Sequence, residues 1–247
     1  MKSDGESLIG KKTYKVLSKE TGLNQLIKFE ALLIRMQEVA WENSVDLGFS
    51  VPDLNKRGLT WMVHRMQFEV LRYPVVDEVI EVRSWPSGQD RLYTYRDYKI
   101  LDSQGKEIVK GTSAWLMIDI ERRRPVSPVE VFDMTAVASA ERMTLKKAKI
   151  FLSEQAKVTS KIIVGPEDID LNDHVSNTRY VEWAMEVARE KFSDYKKSTF
   201  LDMIFTEESV LSDELIISTD ERKSLGFSLA IKNQTKQSDA FRMTISI

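Results

Sequence analysis

A long amphipathic helical segment followed by strand patterns occurs twice in this 247-residue chain, and that repeat limits the possible folds more than any other feature. In the first copy Phe29, Leu32, Leu33, Met36 and Ala40 fall on one stripe of a helix predicted over 29–47, which contains Glu38-Val39-Ala40. The second predicted helix carries Glu186-Val187-Ala188, an offset of 148 (186 against 38). Each helix is followed by a strand opening on Asp-Glu. These are Asp77-Glu78-Val79-Ile80-Glu81-Val82 and Asp213-Glu214-Leu215-Ile216-Ile217-Ser218, an offset of 136 (213 against 77). Paired strands come next. Tyr93 to Leu101 and Glu107 to Ile118 flank the turn Asp102-Ser103-Gln104-Gly105, and Gly226 to Ile231 and Ala240 to Ile247 flank a polar stretch at 232–239. A helix followed by several antiparallel strands predicts a sheet wrapped round that helix, in the α+β class, and two copies predict a pseudo-dimer within one chain.

Between the copies, Pro125 to Pro166 contains Pro128 and the basic Lys146-Lys147-Ala-Lys149 run, the composition of a connecting segment. With 42% hydrophobic residues the chain can bury a substantial core, and the net charge of -2 gives no global case for nucleic-acid binding. The absence of cysteine excludes a thiol nucleophile, disulfides and thiolate metal sites. Met1 to Gly10 has no apolar signal core and no stretch approaches a membrane span, so a soluble cytoplasmic protein is the expectation.

The chemistry-bearing cluster precedes the second helix. Asp170, Asn172 and His174 alternate along the chain and, in an extended segment, would point to one side and converge on one substrate atom. Tyr180, Trp183, Ala184, Val187 and Ala188 then form a buried helical stripe, with Glu182, Glu186, Arg189 and Glu190 on the other face. Ser176, Asn177 or Thr178 is expected as N-cap. His174 would then lie just outside a helix start whose free amides favour a developing oxyanion. In isolation such an Asp-x-Asn run before a helix is more often a turn element than a catalytic one. With two histidines in the chain, no metal site is expected.

Three stretches carry a family resemblance: Trp61-Met-Val-His-Arg-Met-Gln-Phe-Glu-Val-Leu-Arg-Tyr-Pro; Thr112-Ser-Ala-Trp-Leu-Met with Arg122-Arg-Arg-Pro; and Asp170-Leu-Asn-Asp-His-Val-Ser-Asn-Thr-Arg-Tyr-Val-Glu-Trp. Together they resemble a bacterial acyl-acyl carrier protein (ACP) thioesterase, a relative of the plant plastid enzymes that release fatty acids from ACP. The third stretch is similar to the family's Asp-x-Asn-x-His-Val-Asn-Asn-x-x-Tyr signature and is the specific one. The resemblance implies a tandem, or double, hotdog fold: an N-terminal hotdog domain over 1–128 housing the acyl chain, a linker region over 129–165, and a catalytic C-terminal hotdog domain over 166–247. It implies Asp170, Asn172, His174 and Glu208 as catalytic groups, with Glu207 the adjacent competitor for Glu208 on a strand through 204–209. The family position that often holds Cys after the glutamate is Ser209 here, so an essential thiol is ruled out.

The implied function is hydrolysis of fatty acyl-ACP to free fatty acid and holo-ACP in fatty acid biosynthesis. No cofactor is implied beyond the phosphopantetheine that arrives with the substrate. The alternatives are an acyl-CoA thioesterase, a hotdog dehydratase or a non-catalytic hotdog acyl-binding module. Met62, Met66, Phe68, Trp115 and Met117, together with Trp85, are candidates to line an acyl chamber, although most apolar strand residues are simply core. His64 is expected on one strand face with Met62, Met66, Phe68 and Val70 as a packed histidine. Arg122, Arg123, Arg124, Lys146 and Lys147 are candidates to meet an acidic carrier protein, with a solvated charged face as the plain reading. A monomer, as a pseudo-dimer, or a homodimer fits the tandem.

Overall fold

The computed structural model describes residues 8–132, 142–143, 150, 152–153, 156–191, 199–222 and 226–246. Two units divide the chain, Met1–Leu145 and Lys146–Ile247. In the first, β1 (Gly10–Lys15) precedes the long helix α1 (Phe29–Asp46) and the short α2 (Val51–Asn55). Strands β2 (Leu59–Val70), β3 (Val79–Gln89), β4 (Tyr93–Asp102), β5 (Glu107–Asp119) and β6 (Arg124–Val126) follow, then the short α3 (Pro128–Val131). The sheet is antiparallel in the order β1-β3-β4-β5-β2, with β6 beside β5. The second unit consists of β7 (Lys157–Ile163), α4 (Asn177–Lys191), β8 (Thr199–Phe205), β9 (Glu214–Arg222), β10 (Gly226–Asn233) and β11 (Ser238–Ser246). Its sheet runs β7-β9-β10-β11-β8, the same order as the first. Strand β7 lies inside the stretch expected as linker. It is an exposed edge strand whose Lys157 and Lys161 supply the charge that discourages edge-to-edge pairing, so it lacks the apolar alternation that marks a half-buried strand.

Helix α1 buries the expected stripe, with Phe29, Leu32, Leu33 and Met36 fully enclosed, each such side chain contributing roughly 1.5–3 kcal/mol. The ring of Phe29 meets Phe68 of β2 edge-on at 5.5 Å. Phe68 in turn lies over Gly111 of β5, where any Cβ would sit 2.0 Å from its ring, so only glycine fits. The far end of the helix is fastened by Arg96 of β4. This buried guanidinium donates to Asn43 Oδ1 (2.9 Å) and Ser44 Oγ (2.9 Å) in the last turns, where the helix dipole favours a cation. Burial pulls its pKa down to about 10.

The β4–β5 turn forms as its residues predict. Asp102 accepts the Gln104 and Lys106 amides, and Gly105 takes the left-handed conformation at φ 78°. A register shift at His64 changes the expected face of β2. Trp61, Val63, Met66 and Phe68 lie opposite Met117, Trp115, Ser113 and Gly111, whereas Met62 lies opposite Leu116 on the other face. A β-bulge adds one residue and inverts the alternation beyond it, so Met62 does not share a face with Met66 and Phe68. His64 itself stacks on Tyr93 at 5.5 Å.

In the second unit α4 buries the expected Tyr180, Trp183, Ala184, Val187 and Ala188 and also Val181 and Met185, a wider face than the expected stripe. Tyr180 stacks on Phe241 of β11 at 5.8 Å, and Phe205 of β8 closes the cluster at 5.0 Å from Phe241. Each unit makes the same internal hydrogen bonds at corresponding residues. Val16 N–H donates to Glu78 O and Val164 N–H to Asp213 O, while Asp77 N–H donates to Val16 O and Ser212 N–H to Val164 O. The counterpart of Asp213 is therefore Glu78, an offset of 135 (213 against 78), one less than the sequence pattern suggests. Asp77 is instead the left-handed turn residue at φ 67°, matched by Ser212 at 68°.

Candidate active site

Asp170, Asn172 and His174 lie on a closed turn and not on an extended segment, which corrects the alternation expected from their spacing. Ile169 and Val175 pair across the turn as an isolated bridge. Inside it, Asp170 N–H donates to His174 O at 2.8 Å and Asp173 N–H to Asp170 O at 3.1 Å. Asp173 takes φ 61°, a conformation that Asp adopts more readily than most residues. The Asp170 carboxylate accepts the Asn172 backbone N–H at 2.8 Å, an Asx turn. Asp170 thus fixes the loop, Asn172 stands exposed near its tip beside a fully exposed Leu171, and His174 turns back toward the body of the unit.

There His174 Nε2 meets Glu208 Oε2 at 3.2 Å, with both side chains about one-third exposed. Glu208 lies in the loop after β8, which ends at Phe205, so the strand expected through 204–209 is shorter. Within that loop Glu207 faces Lys236 at 3.8 Å, and the neighbouring glutamate is the one that reaches the imidazole. The loop is tied to the turn by Val175 N–H donating to Ser209 O at 2.8 Å. An imidazole and a carboxylate in contact, both reached by solvent, can relay a proton to or from a bound water.

A clamp that the sequence did not reveal holds the turn at its base. Asp168, buried at 4% exposure, accepts Gly165 N–H at 2.8 Å and the fork of Arg179, Nε at 2.7 Å and Nη2 at 2.6 Å, while its carbonyl accepts Ser176 N–H. Arg179 also pairs with Glu182 and lies over the Trp183 ring at 5.4 Å. Burial opposes its charge, but the two carboxylates outweigh burial and raise its pKa. The repeat held the available signal: Glu20, offset by 148 from Asp168, accepts Leu17 N–H and pairs with Arg35 at 2.6 Å. Helix α4 begins at Asn177, three residues after His174, and the Ser176 and Thr178 hydroxyls bond each other at 2.9 Å.

The acyl-chamber candidates and the three arginines lie in the first unit. Met66, Phe68, Trp115 and Met117 share the α1-facing side of the sheet, while Trp85 is buried on the opposite side and Met62 is also on that side. Trp115 Nε1 donates to Ser113 Oγ at 2.7 Å. Arg122 and Arg123 are exposed in the β5–β6 turn, and Arg124 opens β6. Lys146 and Lys147 lie outside the described residues. Among the described residues no helix is long and apolar enough to cross a membrane.

The family model "Acyl-ACP thioesterase N-terminal domain" matches residues 8–133, and "Acyl-ACP thioesterase C-terminal domain" matches 152–245. The oleoyl-acyl carrier protein thioesterase of Coriandrum sativum is 30% identical over 200 residues, covering 73% of this chain and 54% of the relative. The palmitoyl-acyl carrier protein thioesterase of Gossypium hirsutum is 29% identical over 197 residues, covering 74% and 48%. This chain therefore spans about half the length of the curated relatives it matches. Among solved structures, an acyl-ACP thioesterase from Bacteroides thetaiotaomicron aligns with TM-score 0.85 at 23% identity, covering 97% of this chain and 98% of that one. The 12:0-ACP thioesterase of Umbellularia californica aligns with TM-score 0.86 at 21% identity, covering 97% and 96%. These likenesses identify the two sheet-and-helix units as a double hotdog fold. With both halves matched by the family's own domain models, the chain belongs to the acyl-ACP thioesterase family.

Proposed function

We propose that this protein hydrolyses the thioester of a fatty acyl group carried on ACP, releasing free fatty acid and holo-ACP. The observation that carries the reading is the 3.2 Å pair of His174 and Glu208 beside the Asp170–Asn172 turn, in a chain of this family. In the proposed reaction a water bound at the pair loses a proton to it and attacks the thioester carbon. The carbonyl oxygen becomes an oxyanion held by Asn172 and the amides at the start of α4, and the carbon–sulfur bond breaks with the proton passing to the departing thiolate. Since Asp170 already accepts the Asn172 backbone N–H, it is assigned the role of fixing this constellation, and water the role of nucleophile. Single turnover in oxygen-18 water tests that choice, because label found in the Asp170 carboxylate would mean a covalent anhydride and a nucleophilic Asp170.

The same proposal gives the α1-facing residues Met66, Phe68, Trp115 and Met117 the role of lining the acyl chamber, and Arg122, Arg123 and Arg124 that of meeting the acidic carrier. Release of fatty acid from a panel of acyl-ACPs, with the same acyl groups offered on coenzyme A, is the direct test. Faster hydrolysis on ACP supports the reading. Preference for coenzyme A, or no hydrolysis with retained acyl binding, overturns it.

A further inference from the structure

Glu208 stands in a loop held by a buried hydrogen-bond network that the mechanism above does not use. Asn233, the last residue of β10, is fully buried, and its amide nitrogen donates to Ser209 Oγ at 3.0 Å and to Asp213 Oδ2 at 2.7 Å. The same Asp213 oxygen accepts Val210 N–H at 2.9 Å, and Asn233 Oδ1 accepts Lys236 N–H at 2.9 Å. Lys236 Nζ in turn donates to the Glu208 carbonyl. Ser209 is also fully buried, and its carbonyl accepts Val175 N–H from the residue after His174. One amide thus ties together the loop that presents Glu208, the hairpin behind it and the turn that presents His174.

The first unit fixes the corresponding loop by different means. Asp102 lies opposite Ile80 as Asn233 lies opposite Leu215, and each accepts a backbone amide from the lysine of its hairpin. Around Asp102 the fastening is an ion cluster at the surface, Arg72 forked onto Glu78 at 2.7 and 2.9 Å and reaching Asp102 at 3.4 Å. Arg72 corresponds to Glu207, the neighbour of Glu208, by the offset of 135 (207 against 72). An arginine fork kept there would place a full positive charge beside the Glu208–His174 pair and compete for its carboxylate. The second unit fixes the loop instead through the buried Asn233 amide, with Lys236 donating to the Glu208 carbonyl and pairing with Glu207.

We infer that Asn233, acting through Ser209 and Asp213, is a positioning residue that sets the Glu208 carboxylate against His174. The inference rests on the proposed hydrolase function. Its test measures kcat and KM on one acyl-ACP for the wild type, N233A, S209A, E208Q and the doubles N233A/E208Q and S209A/E208Q, each confirmed folded by circular dichroism. N233A is expected to lower kcat about 10-fold with KM within about twofold, and S209A to lower it about threefold. In the E208Q background each should cost less than about twofold, because a residue that acts through Glu208 has nothing left to position.

A purely structural role would multiply the same loss into both backgrounds, and that result, or an undiminished kcat in folded N233A and S209A, overturns the inference alone. An inactive wild type overturns the proposed function and this inference with it. If N233A does not fold, S209A and its double decide by the same two criteria.

Discussion

The turn at 21–27 and the turn at 169–175 are one backbone device built twice, and only one copy carries the groups proposed for chemistry. Gly22 N–H donates to Leu26 O and Gln25 N–H to Gly22 O, as Asp170 donates to His174 and Asp173 to Asp170. Gln25 and Asp173 share the left-handed conformation at φ 60° and 61°, and each turn exposes a leucine completely, Leu23 and Leu171. The side chains differ where it matters: Gly22 stands for Asp170, Leu26 for His174 and Tyr73 for Glu208. Asn24 and Asn172 match in type but not in task. Asn24 caps its own turn by accepting Leu26 N–H, whereas in the second copy Asp170 does the capping and leaves Asn172 exposed. The turn geometry therefore belongs to the fold, and the proposed chemistry belongs to side chains placed on and beside it.

The largest test of that contrast is removal of the imidazole. His174→Ala should lower kcat about 10³-fold, whereas Leu26→Ala, at the same turn position, should leave it within about twofold, both read as fatty acid release. Equal losses would mean that the turn and not its side chain matters. Next comes the carboxylate: Glu208→Gln should cost about 10²-fold in kcat, and Tyr73→Phe close to nothing.

The two clamps should differ less and in stability. Asp168→Ala, which strands a partly enclosed Arg179, should cost about 2–3 kcal/mol in urea unfolding, and Glu20→Ala about 1–2 kcal/mol because the Glu20 carboxylate is less buried and meets one arginine nitrogen where Asp168 meets two. The reverse order would break the correspondence.

The smallest effect concerns the ion cluster of the first unit. Its Arg72 fork holds the Glu78 carboxyl below the usual carboxylate range, so that stabilisation is complete above an ordinary glutamate pKa of about 4.3 and fades as pH falls through the lower folded value. The stability gap between wild type and Glu78→Gln should then be about 1 kcal/mol or less at neutral pH, given the exposure of Arg72, and close as the solution is acidified. A gap that widens with acid would overturn the assignment.

Sequence alone determined the two long helices, the hairpin turn at 102–105, the repeat and the family, because each rests on local periodicity or on residues adjacent in the chain. It also named Asp170, Asn172, His174 and Glu208, through the resemblance. Tertiary structure decided what non-local contact governs. The bulge at His64 reversed the face of Met62, since one extra residue in a strand is visible only against its partner. Edge strand β7 took shape from pairing with β9, which its exposed, charged pattern does not announce. The convergence of His174 with Glu208 across a sequence separation of 34 (208 against 174), and the fastening of both by Asp168, Ser209 and Asn233, arise from buried hydrogen bonds between segments far apart in the chain. Such bonds leave no periodic signal, because a buried polar group is set by the partner it must find and not by its neighbours in sequence.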